Sequence, residues 1–481
     1  IGTKFTLNTK DFFFELDMEQ SSDSVVVMKL PYEGGYIQQK YWIDQESYML
    51  QNEMSFIGMN NLVDNITDSY KTDWKLYIPR LEKGYKNEKQ YSKLNYYFSG
   101  EDEPEEMAHA SDEHELVQSR IAWFAFQQQF FSAIMTPAKE FTTSDFTVNY
   151  YSEKEYAEYG HLMVCKAKLN SSFESGVDNL VVANEFYFGP NDYKTLKGYD
   201  RCYEKIIPLG GWMVAWFNRL VIIPVFDFLG KFISSYGIVI LILTLLIKLL
   251  LSPLTIKSYK STAKMQVLKP EMDALNEKYP KQEDAMKKQQ AMMNLYQKAG
   301  VSPMGGCLPM LLQMPILFAM FRFFPASIEL RQQKFLWADD LSAYDSIWDF
   351  GVNIPLLGDH LSLFALLMAV TMFFYSRMTA SQMSDDPNMA GMKFMSLYLM
   401  PIMMFFICNN LSAALSYYYL LSNIITMIMT WYIRKYVVTE DKVRADMMLN
   451  ANKPKQKSKW QQRLEEAQKM QEQMQKQQKR R

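Results

Sequence analysis

Histidine and cysteine are scarce in this chain, four of each among 481 residues. Four cysteines are too few for a disulfide scaffold. Cys165 and Cys202 fall in the first 205 residues; a bridge between them would require an oxidising compartment, and two unpaired thiols are the favoured reading because connectivity cannot be read from sequence. His109 and His114 flank the carboxylates of EDEPEEMAHASDEHE, residues 101–115, but their spacing matches no named metal site, so this reads as a solvated acidic loop. There is no Gly-rich phosphate loop, no nucleophile elbow and no convincing acid/base pair. The expectation is a protein that is not an enzyme and carries no cofactor and no metal. The chain also lacks an initiator methionine, which suggests a truncated or a processed start.

Net charge is small as well, −2 at pH 7 with a mean hydropathy of −0.20, but both averages hide two unlike halves. Residues 1–205 hold 33 acidic and 20 basic side chains; the remainder holds 20 and 31, with nearly all the long apolar runs. Such asymmetry suits a membrane protein with one large domain outside the bilayer. Methionine is abundant, with 34 residues, most of them in the second half.

In residues 1–205, short runs rich in β-branched and aromatic residues recur between turn signals: SVVVMKL, IQQKYWI, SYMLQNEMSFIGM, WKLYIPRL, QYSKLNYYF, FTVNYY, HLMVCKAKL and NLVVANEFYFG. Their spacing predicts an all-β sandwich. The run from Ile121 to Met135 fits a long strand or a buried helix equally well.

The second half is organised around YGIVILILTLLIKLLLSP, Tyr236 to Pro253. At about 1.5 Å per residue it crosses most of a bilayer core about 30 Å thick. Lys248 sits inside it, roughly 13 Å of helix from the next charge at Lys257. A lysine at that depth costs about 2.5–3.5 kcal/mol on insertion scales and usually faces a bundle interior or a wet cavity. Snorkelling to the headgroups is the alternative, and the stem is too short for it from there.

Upstream, residues 206–235 are apolar and Trp/Phe-rich but interrupted by Arg219, Pro224, Asp227 and Lys231, which predicts a helix lying along the membrane interface. Downstream, residues 257–303 read as two amphipathic helices turning near Pro280. Met265, Leu268, Met272 and Leu275 share one face, and Met286, Met292, Met293 and Leu295 line the other helix. The plain reading of this segment is a coiled hairpin; a methionine face can also re-pack against varied apolar partners. Four further apolar stretches, Met304–Phe324, Ile354–Tyr375, Lys393–Ile407 and Leu411–Ile433, bring the expected spans to five within residues 236–433. If residues 1–205 lie outside, the tail 434–481 lies inside. It carries 14 basic and 6 acidic residues, suited to ribosomal RNA or anionic lipid, or to a disordered solubilising role.

LTLLIKLLLSPLT (243–255), AKMQVLKPEMDAL (263–275), MMNLYQKAGVSPMGGCLPMLLQMPILFAMF (292–321), SIELRQQKFLWADDLSAYD (327–345) and YYLLSN (418–423) resemble hallmark regions of the YidC/Oxa/Alb family of membrane protein insertases, in its Gram-negative branch. IAWFAFQQQFFSAIMTP and YFGPNDYKTL resemble segments of that branch's periplasmic β-sandwich. The resemblance implies an inner-membrane protein with residues 1–205 periplasmic, a cytoplasmic C-terminus and one further amino-terminal span. It implies a five-helix core with a hydrophilic groove in which Lys248 stands where the family usually has Arg. Thr244, one turn earlier, shares its face, and Gln313, Tyr419 and Asn423 match polar or client-contacting positions, Asn423 also fitting the part of interhelical glue. The methionine hairpin (Met265, Met272, Met286, Met292, Met293) would recruit clients. Implied partners are membrane protein clients and the lipid bilayer, with the ribosome at the basic tail and a Sec-type translocon. Two departures stand out: lysine can lose its charge when desolvated and arginine cannot, and LSAALS replaces the family's Pro-(Ser/Ala)-Gly turn, leaving the start of the last span open. The rival reading is a transporter or channel with an intramembrane cationic site, which predicts Gly/Pro-broken spans in two matching halves; no internal repeat is evident.

Overall fold

A computed structural model of the chain describes residues 8–32, 34–59, 69–172, 180–279, 285–299, 308–380 and 387–438. The amino-terminal half is built on two antiparallel sheets. Its strands are β1 (Glu15–Leu16), β2 (Val25–Tyr32), β3 (Gly35–Ile43), β4 (Met49–Ile57), β5 (Ser69–Ile78), β6 (Lys93–Tyr97), β7 (Glu105–Met107), β8 (Glu113–Val117), β9 (Trp123–Gln127), β10 (Phe131–Pro137), β11 (Thr143–Tyr150), β12 (Met163–Ser172) and β13 (Leu180–Pro190). The larger sheet runs β1-β2-β3-β4-β13-β10-β9-β6-β7 and the smaller β5-β12-β11-β8. Phe124, Phe126, Met135 and Leu94 from the first meet Phe146, Val148, Met163 and Cys165 from the second in one buried cluster. Face-to-face packing of two half-apolar sheets is the sandwich that the runs predicted.

Two details depart from expectation. The stretch Ile121–Met135 is neither one strand nor a helix: it folds back as β9 and β10 around Gln128, whose N–H donates to the Phe131 carbonyl at 2.8 Å. The acidic run 101–115 is not simply a loop, because Glu105–Met107 and Glu113–Val117 add edge strands that bury Met107 and Val117 and leave the carboxylates outside. His114 pairs there with Asp145 at 2.8 Å.

Short helices α1 (Tyr85–Tyr91), α2 (Glu153–Tyr159) and α3 (Tyr193–Gly198) fill the connections. Strands β6 and β9 are buried along their whole length. The segment after α3 covers their outer face, where Trp123 donates to the Arg201 carbonyl and Gln127 to that of Ile206.

The second half is helical. α4 (Trp212–Phe217) and α5 (Ile223–Gly230) are joined by a π turn at Asn218–Ile222. Then come α6 (Tyr236–Val267), α7 (Lys269–Lys278), α8 (Ala285–Ala299), α9 (Leu308–Ala326), a hairpin of β14 (Trp348–Ile354) and β15 (Gly358–Leu361), α10 (Leu363–Ala380), α11 (Pro387–Phe394), α12 (Met400–Asn409) and α13 (Ala413–Tyr432). Trp212–Gly230, Tyr236–Val267, Gly391–Asn409 and Ala413–Val437 are long and apolar enough to cross a membrane, and Leu363–Thr379 is apolar but shorter. A β-sheet domain followed by apolar spans is the predicted architecture.

Some boundaries move. The stretch expected to be helical from Ile354 starts only at Leu363, because Pro355 and Gly358, the latter at φ +91°, turn the chain into β15. Residues 257–267 continue α6 instead of opening the helical hairpin, and Pro270 in the first turn of α7 marks the break at Leu268. The last span starts at Ala413: Ser412 caps it, its hydroxyl accepting from the Leu415 N–H. Pro280 and residues 439–481 lie outside the described residues.

The chain forms two compact units, one of residues 1–245, 314–374 and 396–423, the other of residues 246–313, 375–395 and 424–481. In the first, the β domain is fastened to helix ends: Gln129 donates to the Pro325 carbonyl at 2.9 Å, Arg331 pairs with Glu82 at 2.8 Å and Lys194 with Asp227 at 2.5 Å. In the second, α7 packs on α8 through Leu268, Met272, Met292 and Leu295.

Candidate functional site

From Tyr236 to Leu251 both faces of α6 are apolar in sequence, but burial there is one-sided. Val239, Ile240, Leu243, Thr244, Ile247 and Lys248 are buried, whereas Ile238, Leu241, Leu245, Leu246, Leu249 and Leu250 are exposed. The two stripes alternate with the helical repeat. Lys248 is therefore on the protein-facing stripe, only 6% exposed, and not among the leucines that would meet lipid. Among the described residues no ion pair or hydrogen bond reaches its ammonium. Leaving such a charge buried and unpaired costs several kcal/mol.

Thr244 lies one turn earlier on the same stripe, fully buried, with its hydroxyl donating back to the Ile240 carbonyl at 2.6 Å. Back-bonding of this kind satisfies a polar group inside a helix without a partner helix. Tyr419 on α13 donates to the Leu317 carbonyl of α9 at 3.0 Å. Asn423, one turn on, reaches the Met368 carbonyl at 3.5 Å and the Thr371 hydroxyl at 3.4 Å on α10. These two side chains tie α13 to two neighbours. Gln313 is half-buried on α9.

The methionines of the hairpin are not a free face. Met265, Met272 and Met292 pack with Leu268, Leu295 and Tyr296, and the Tyr296 hydroxyl contacts the Met272 sulfur at 3.8 Å. The coiled-hairpin reading describes them as they stand. Met293 is half-buried, and the Met286 side chain lies outside the described residues.

Sequence reasoning passed over several polar side chains. Asn218, fully buried in the π turn, donates to the carbonyls of Leu209 and Ala319 at 3.1 and 3.2 Å. Tyr259 of α6 meets Thr430 of α13 within the second unit. At the outer helix ends, Asp345 is 3% exposed and accepts from Trp337 Nε1 at 2.8 Å, Leu363 N at 2.9 Å, Phe364 N at 3.0 Å and the Ser362 hydroxyl. No local signal marked Asp345, which stands 18 residues before Leu363 with β14 and β15 between them.

Residues 2–223 match the family model described as the YidC periplasmic domain, and residues 228–442 match that of the 60Kd inner membrane protein. A membrane protein insertase YidC from Parabacteroides distasonis is 38% identical over 98% of this chain and 75% of its own length. Its namesake from Bacteroides fragilis is 41% identical over 98% and 76%. A third, from Porphyromonas gingivalis, is 37% identical over 99% and 77%. Among solved structures, a putative aldose 1-epimerase from Escherichia coli matches at 10% identity and a TM-score of 0.23, over 37% of this chain and 68% of its own, a likeness that carries no argument.

Proposed function

The chain belongs to the YidC/Oxa/Alb family of membrane protein insertases, and from that premise we propose how its residues move a client into the bilayer. Its function is membrane protein insertion, in the inner membrane, with the β-sheet domain outside the cytoplasm. The relatives do not favour a transporter or channel.

Lys248 carries the mechanism: an ammonium buried on the protein-facing stripe of a leucine-rich span. It attracts acidic residues in the translocating segment of the client, more strongly than in bulk water because the local dielectric is lower. Water drawn to the ammonium and to Thr244 shortens the hydrocarbon path that a polar segment must cross. The client's apolar helix then leaves into lipid, stabilised by about 0.8 kcal/mol per buried CH₂. Gln313 lines the same polar path. Tyr419 and Asn423 hold α13 in register with α9 and α10, so their part is to keep the path open. Recruitment through Met265, Met272 and Met292 requires α7 and α8 to part and expose the face they bury against each other. The basic tail stays in the cytoplasm and meets an anionic partner, the ribosome or the inner lipid leaflet; a Sec-type translocon would hand over clients from the side.

The test uses purified full chain in liposomes, without other translocation factors, and a single-span client with an acidic translocated tail. Protease protection of that tail is scored for wild type, Lys248→Arg and Lys248→Ala. Protection is expected with wild type and Arg and lost with Ala. Full protection with Lys248→Ala overturns the role of the charge.

A further inference from the structure

The hairpin β14–β15 presents an apolar surface that membrane insertion leaves unused. Trp348, Val352 and Leu356 are 66%, 65% and 80% exposed, with Ile347 and Ile354 also open. From Phe350 to Leu357 there is no charged residue; the charges stand at the base, Asp349 and Asp359. Leu356 adopts φ +71°, a left-handed conformation that bulky residues seldom occupy in an exposed turn. A soluble hairpin would place glycine or asparagine there.

Its anchoring fixes its depth. The Asn409 side chain, at the end of α12, donates to the carbonyls of Leu357 and His360 and accepts from the Ser362 N–H at 2.9 Å. His360 returns a bond to the Asn409 carbonyl at 2.7 Å. Gly358 lies so close to Asn410 that a Cβ there would come within 2.8 Å of its side-chain oxygen. Thus β15 starts against the end of α12 and finishes at Ser362, where α10 begins. Both of its ends are held at the ends of membrane helices, at the side where the β domain is fastened. A strand held this way is kept at the level of these helix ends. There its apolar side chains continue the exposed faces of α10 (Leu366, Val370, Phe374) and α12 (Met403, Ile407).

We propose that the β14–β15 hairpin is a lipid-binding foot, seated in the outer headgroup layer with Val352, Ile354 and Leu356 among the upper acyl chains. Trp348 sits at the headgroup level, as interfacial tryptophans do. Asp349 and Asp359 stay in water, and the His360 hydrogen bond holds the Asp359 carboxyl below its ordinary value. The foot steadies the outer ends of α10 and α12.

The test replaces the four cysteines by alanine, introduces Val352→Cys or Leu356→Cys, and attaches an environment-sensitive fluorophore. The full chain is reconstituted in phosphatidylethanolamine/phosphatidylglycerol vesicles, with Val181→Cys on the β domain as the aqueous control. Blue-shifted emission, quenched by lipids spin-labelled high on the acyl chain and untouched by iodide, is the expected result. Quenching by iodide alone overturns the proposal; protection from both quenchers also overturns it and points to cover by a second protein surface. A photoreactive residue at position 356 in the otherwise unchanged chain gives an independent reading: lipid adducts are expected, and protein adducts without lipid overturn the proposal.

Discussion

Glu88 offers the sharpest quantitative test of how the β domain is seated. It lies on α1, fully buried, and its carboxylate accepts from the N–H groups of Leu81 at 2.7 Å and Glu82 at 3.2 Å. Burial pushes its carboxyl from about 4.5 up to about 7; the two backbone hydrogen bonds and Arg80 oppose that rise, and the neighbouring Glu82 adds to it. The loop it holds carries Glu82, which pairs with Arg331, and Lys83, whose ammonium lies 4.4 Å from the ring centre of Tyr344. An acid whose value is raised on folding binds its proton more tightly in the native state. Its contribution to stability is therefore complete below the unfolded value and is lost as pH rises through about 7. With about 1.36 kcal/mol per unit, the loss between pH 5 and pH 8 comes to about 2.5 kcal/mol. Glu88→Gln keeps the shape but cannot titrate. Hydrogen exchange of the peptides covering β6 and β9, in the full detergent-solubilised chain, reads the opening free energy at each pH. The wild-type profile should fall relative to the Gln profile by that amount, most steeply at about pH 6, midway between the unfolded and folded values. Parallel profiles would refute the reasoning, because a carboxylate already ionised at pH 5 loses nothing on the way to pH 8.

Asp345→Ala leaves the Trp337 and Ser362 donors and the first N–H groups of α10 without their acceptor, so a loss of about 3 kcal/mol is expected. A clearly lower melting temperature of the solubilised chain is the readout, and a loss under about 1 kcal/mol would sink the assignment. Tyr419→Phe removes one interhelical hydrogen bond, worth about 0.6 kcal/mol in membranes, and should leave client insertion near wild type. A large drop in insertion at unchanged stability would instead mark Tyr419 as a client contact.

The β sandwich was legible because its strands alternate between a shared core and the outside, and period-2 runs bounded by turn residues survive in the sequence. The fold-back at Gln128 was not, because β9 is buried on both faces and loses its alternation there. In the helical half, span existence was legible and span orientation was not. Lipid is as apolar as leucine, so nothing in the sequence of α6 separates the stripe that meets protein from the stripe that meets lipid. Between Gly237 and Leu251 only Lys248 and Thr244 break the uniformity, and they do mark the buried stripe. The hairpin β14–β15 was missed for a related reason: Ile354, Pro355, Leu356 and Leu357 extend the apolar run that precedes α10. The amphipathic pair α7 and α8 was legible as a coiled hairpin but its start was not, since α6 runs on to Val267, and a methionine face able to re-pack on clients has the same pattern as one that packs on its neighbour.

Polar side chains in the helical half divide by whether their hydrogen bonds close within the protein. Asn218, Thr244, Asn409, Tyr419 and Asn423 each reach an acceptor on a backbone they help position. Such groups hold helices together, and replacing one costs about the strength of its bond. Lys248 has no such closure among the described residues. Its desolvation penalty is not offset by a carboxylate, as it would be in a structural ion pair. A charge kept at that cost needs a compensating gain that the described residues do not contain, either water or a passing counter-charge. On the proposed mechanism an acidic client segment supplies the second and displaces the first, so the attraction is expected to be strongest while a client occupies the path.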